Sequence, residues 1–145
     1  MTAPTKRSAG DAGLPKPVAA LLSELGIELP EGKAVVFGDR IFWAPVGLPE
    51  LRGLKVLRPG LELAELRRDL AVPAHALALW AKSAASVREL SADEPACAAY
   101  LRGETIPAAG AGWTLVTVDG LSLGWGKSVN GVLKNHYPKG LRSLG

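Results

Sequence analysis

Gly112-Trp113-Thr114-Leu115-Val116-Thr117-Val118-Asp119-Gly120-Leu121-Ser122-Leu123-Gly124-Trp125-Gly126-Lys127, continued by Ser128-Val129-Asn130-Gly131-Val132-Leu133-Lys134-Asn135-His136-Tyr137-Pro138-Lys139-Gly140-Leu141-Arg142, decides the fold. The dipeptides Asp119-Gly120 and Asn130-Gly131 separate runs rich in β-branched and aromatic residues, which predicts strands over 113–118, 121–125 and 132–134. After the last run come cations, an amide, an imidazole and a phenol within nine residues. This predicts a small β-structure that presents a polar, basic rim.

Charge supports that reading. The 145-residue chain carries a formal net charge of +3. From Gly112 onward Lys127, Lys134, Lys139 and Arg142 oppose Asp119 alone, while the basic and acidic residues before Gly112 cancel. The whole excess therefore lies in the closing segment, where it would attract a polyanion. A hydrophobic fraction of 48% is ample for a core, and 21% charged residues is ordinary for a globular domain. Cys97, alone in an Ala-rich stretch, excludes a disulfide framework or a cysteine-based zinc site and reads as a small buried residue. No apolar run approaches the ~20 residues that span a bilayer, and no signal-peptide pattern opens the chain, so a cytoplasmic location with no membrane partner is expected.

Upstream, residues 1–17 are rich in Thr, Ala, Gly, Pro, Ser and Lys and are expected to be a disordered leader. A short helix is predicted over 18–25, capped by Gly26. Runs 33–37 and 40–44 around Gly38-Asp39 predict a hairpin. Short strands are predicted at 54–57 and around Leu61 and Leu63, and Pro73 is placed to open a helix over 75–82. Arg67-Arg68, beside Glu65 and Asp69, reads as a solvated charged face. Ser91 and Glu94 have capping-box spacing, which predicts a helix over 93–101 ending near Gly103. Short strands, tight turns and a few short helices give an α+β fold, a small mixed β-barrel with short helices. Residues 18–37 read as an appendage and 38–145 as the main domain.

The residue types at the rim suit nucleic acid. Lys127, Lys134, Lys139 and Arg142 can neutralise phosphates, with Arg142 able to fork onto two oxygens. Asn135 offers donor and acceptor edges, and His136 and Tyr137 offer planar faces for unpaired bases. Trp125, between Gly124 and Gly126, could stack on a base or fill the core. Singly, each has an ordinary structural explanation; together they favour a binding rim. No nucleotide-binding glycine loop, no Ser/His/Asp arrangement and no metal-ligand spacing is present, and His75 reads as a structural histidine. No catalytic residue, metal or cofactor is assigned.

The closing stretch resembles the C-terminal end of ribosomal-RNA cytosine-C5 methyltransferases of the RsmF type. The likeness extends upstream through Leu54-Lys55-Val56-Leu57-Arg58-Pro59-Gly60-Leu61, Pro73-Ala74-His75-Ala76-Leu77-Ala78 and Tyr100-Leu101-Arg102-Gly103-Glu104, covering 38–144. The resemblance implies a PUA-like RNA-binding domain, and RNA contact by Lys127, Lys134, Asn135, His136, Tyr137, Lys139 and Arg142. Those enzymes carry an S-adenosylmethionine-binding domain and a catalytic cysteine pair before this region, for which the chain has neither length nor cysteines. A further departure is Leu63-Ala64-Glu65, where the family is expected to favour Gly in the middle. The expected function is that of a stand-alone RNA-binding module contacting structured rRNA or tRNA, with no methyl transfer. The alternative is a protein-interaction module acting in trans with an RNA-modifying enzyme or the ribosome. A catalytic cleft in the barrel is a third, more distant reading.

Overall fold

Two-residue turns set the architecture. Asp119 and Gly120 hold φ of 48° and 83°, and Asn130 and Gly131 hold 52° and 84°. Positive φ at both central residues is the twist that lets two strands fold back on each other without splaying. In the computed structural model, which describes residues 13–45 and 60–143, the chain divides into two units. The first comprises 13–23, 28–45 and 60–77, and the second 24–27 and 78–143.

In the first unit β1 (Gly32–Phe37), β2 (Arg40–Pro45), β3 (Leu61–Arg67) and β4 (Leu70–Pro73) form an antiparallel sheet in chain order. Gly38-Asp39 closes the first hairpin, as the sequence predicts, with Phe37 opposite Arg40. Helix α1 (Lys16–Leu25) starts two residues before its expected position, because Pro17 sits in the first turn, where no backbone donor is needed. It ends as expected at Gly26, φ 69°. Val18, Leu21 and Leu22 are buried, as are Ile41, Trp43, Leu63 and Ala64. The Trp43 Nε1–H donates to the Pro30 carbonyl at 2.9 Å. Ala64, where Gly was expected, is an ordinary strand residue opposite Pro73. β4 was not foreseen; it follows β3 through Arg68-Asp69, with Arg68 at φ 59°. That conformation costs an L residue about 1–2 kcal/mol. The predicted strand at 54–57 lies outside the described residues.

Helix α2 (His75–Trp80) follows Pro73 as expected. The second unit then holds a five-stranded sheet in the order β5 (Val87–Leu90), β7 (Gly112–Val118), β8 (Leu121–Val129), β9 (Val132–Asn135), β6 (Ile106–Pro107). β5 runs parallel to β7, and the other pairs are antiparallel. Neither β5 nor β6 was predicted: one is four residues long and the other two, with a proline. The sheet curls. The Arg88 guanidinium of edge strand β5 donates through Nε to the Pro107 carbonyl of edge strand β6 at 2.9 Å, drawing the two edges together.

Helix α3 (Pro95–Leu101) fills the concave side. Its Cys97 and Tyr100 join Leu90, Ile106, Ala108, Val116 and Leu133 in one core. The helix begins later than the capping-box spacing suggests. Pro95 holds the preceding Glu94 extended (φ −86°, ψ 149°), so Glu94 is the N-cap residue, and its carboxylate accepts the Ser91 N–H at 2.7 Å. Two sheets, one of them curled into a half-barrel, and three short α-helices among the described residues agree with the α+β fold and small barrel expected.

Candidate nucleic-acid interface

Counting outward from Asn130-Gly131 pairs Val129 with Val132 and Lys127 with Lys134. Directly paired residues of adjacent strands share a face of the sheet. The two lysines therefore stand side by side, both exposed and without an ion-pair partner among the described residues. On the other flank of β8, Lys127 is paired with Trp113. Its Nζ lies 5.1 Å from the Trp113 ring centroid, within cation–π range. His136 meets the same indole edge-on, with centroids 4.7 Å apart. Trp113, Lys127 and Lys134 thus form a row across three strands, with His136 beside it. Trp113 is only 8% exposed; it is a platform that orients a cation and an imidazole.

The remaining rim candidates divide sharply. Lys139 is exposed at the start of the closing 3-10 helix (Lys139–Leu141). Trp125 is 1% exposed, so in this fold its ring cannot stack on a base. Its carbonyl accepts the Tyr100 hydroxyl at 2.9 Å and the His136 N–H at 3.2 Å. Asn135 is occupied within the chain: Nδ2 donates to the Tyr100 and Glu104 carbonyls, both at 2.9 Å, and Oδ1 accepts the Tyr137 N–H at 2.8 Å. Tyr137 is half-buried against Tyr100, ring centroids 5.3 Å apart. Arg142 is half-buried over Gly103 and donates through Nε to the Tyr137 carbonyl at 3.1 Å. Asn135 and Arg142 hold the rim in shape, and the lysines and His136 form its outer surface.

Trp113 was the participant that sequence reading missed. Counting from the Asp119-Gly120 turn opposes it to Gly126. A register shift between Val116 and Thr117 moves every pair below it by one residue and brings Lys127 opposite instead.

Burial, then the charges of Asp119 and Glu94, push the Cys97 thiol above its ordinary pKa, away from the reactive thiolate. Burial holds His75 below its usual value, favouring the neutral ring. Among the described residues no group of three or more His, Cys, Asp or Glu could hold a metal ion, and no helix is long and apolar enough to cross a membrane.

Two comparisons with protein families fit this division. Residues 20–80 match the family described as the RsmF rRNA methyltransferase first C-terminal domain. Residues 87–143 match the one described as the methyltransferase RsmF PUA domain. The first match takes in the four-stranded sheet, and the second begins at β5 and contains the curled sheet and the basic row. Neither matched domain is a methyl-transferring one.

Proposed function

We propose that this chain, which carries an RsmF-type PUA domain after an RsmF-type first C-terminal domain, binds folded RNA through the row formed by Lys127 and Lys134, with His136 and Lys139 alongside. The observation that carries the reading is the lysine pair. Like charges directly opposite on neighbouring strands cost stability, about 0.2–1 kcal/mol, and gain it back only when an anion lies across them. A phosphate backbone is such an anion. Trp113 fixes one of the two ammonium groups from below, so part of its ordering cost is met before RNA arrives. Asn135, Tyr137 and Arg142 act by positioning the segment that bears His136 and Lys139. Ribosomal RNA is the first target to test, because both matched families are parts of an rRNA methyltransferase or bear its name; structured tRNA is the second. The chain contributes RNA contact and no methyl transfer, and it works from the cytoplasm.

A titration with folded ribosomal RNA at two salt concentrations tests this. Lys127→Glu with Lys134→Glu should weaken binding by more than about tenfold and make the salt dependence shallower by about two ions. The same double variant should melt at or slightly below the parent, since one repulsive pair replaces another but the Lys127 contact with the Trp113 ring is lost. Affinity that ignores both substitutions, or that ignores salt, overturns the reading.

A further inference from the structure

The tip of the β3–β4 hairpin carries a conformation that its residue type does not suit. Arg68 holds a positive φ of 59°. Every other positive-φ position among the described residues is Gly, Asp or Asn, the types that tolerate the left-handed region. A glycine at position 68 would close the same two-residue turn with less strain. Its neighbour Arg67 is engaged with Glu65 at 3.3 Å. Arg68 itself is exposed and makes no hydrogen bond or ion pair with any described residue. Backbone strain is therefore borne at a hairpin tip by a guanidinium that serves no contact within the described chain, a combination that points to a ligand outside it.

We infer that Arg68 is a phosphate contact to RNA, carried by the first unit. The planar guanidinium can fork onto two phosphate oxygens. The tight turn between paired strands holds its base rigid, so little backbone ordering remains to be met on binding. Asp69 next to it opposes simple accumulation of anions, so the contact works by directed hydrogen bonds rather than by a pool of positive charge. The inference rests on the RNA-binding reading above and extends it to the first unit.

The experiment compares the parent chain with Arg68→Gly and Arg68→Lys on the same folded ribosomal RNA, with thermal melting of each protein alone. Arg68→Gly should melt higher than the parent yet bind roughly three- to tenfold more weakly, with a salt slope shallower by about one. Arg68→Lys, which keeps the charge and loses the fork, should fall between them in affinity and keep the parent's slope. If the parent binds and Arg68→Gly matches it in affinity and slope, this inference is overturned while the lysine row stands. A melting temperature that does not rise in Arg68→Gly removes the strain and overturns it as well. A parent chain that binds no RNA overturns both readings together.

Discussion

At the scale of single residues, the Asn135 carboxamide explains how the rim keeps its shape. Its two N–H groups satisfy the carbonyls of Tyr100 and Glu104, and its oxygen takes the Tyr137 amide, so one side chain ties β9 to the end of α3 and to the turn that follows. Asn135→Ala should lower stability by about 2–3 kcal/mol in chemical denaturation, because three backbone groups lose their partner at once. Asn135→Asp, which keeps the acceptor and loses both donors, should recover only a part of it. The sequence places Asn135 in the closing polar segment. It cannot say that the amide faces inward, because the three partner groups lie up to 35 residues away.

At the scale of elements, one side chain links the two edges of the five-stranded sheet by a hydrogen bond, beside the core packing of Leu90 and Ile106. Arg88 donates from β5 to Pro107 of β6, and a second guanidinium hydrogen bond, to the Glu89 carbonyl at 3.0 Å, fixes its direction. Pro107 has no N–H to offer, so the far edge cannot close by backbone pairing alone. Arg88→Met retains the aliphatic stem and removes the donors. It should cost about 1 kcal/mol and should speed hydrogen exchange at the Ala108 amide, which donates to Gly131 O; unchanged exchange there would show that the edges are held by packing. β8 and β9 lie against each other with equal economy. A Cβ at Gly126 would come within 2.2 Å of Leu133, so this strand needs glycine for close approach rather than for a turn. Within the Gly-Trp-Gly-Lys motif, Gly126 is thus a structural glycine, Trp125 a core residue and Lys127 a surface cation.

At the scale of the whole molecule, the second unit reaches back along the chain for Glu24–Ile27. The Ala85 N–H donates to the Leu25 carbonyl at 2.8 Å, and the Trp113 N–H donates to the Glu24 carboxylate at 3.3 Å, across 89 residues. Glu24→Ala should therefore loosen the start of β7, beneath Lys127, although Glu24 lies outside the segment that matches the PUA domain. The expected loss is about 1 kcal/mol or less, read as faster exchange of the Trp113 amide and a small change in tryptophan emission. An exchange rate equal to the parent's would show that the carboxylate is dispensable.

The sequence by itself determined the turns, the closing strands, the helix stop at Gly26 and the concentration of positive charge after Gly112. These are local matters: Asp-Gly and Asn-Gly adopt positive φ at low cost, and charge is additive. The Lys127–Lys134 pairing needed the structure, since the strand expected to end at Trp125 runs on to Val129. Only the tertiary structure decided that Trp125 is core and Trp113 the platform, because a one-residue register shift near Val116 reassigns every partner below it. Only it revealed β5 and β6, which are too short to carry a periodic signal and exist because β7 and β9 offer them an edge. The same holds for Arg68, whose strain is a property of the turn it occupies and not of the residues beside it.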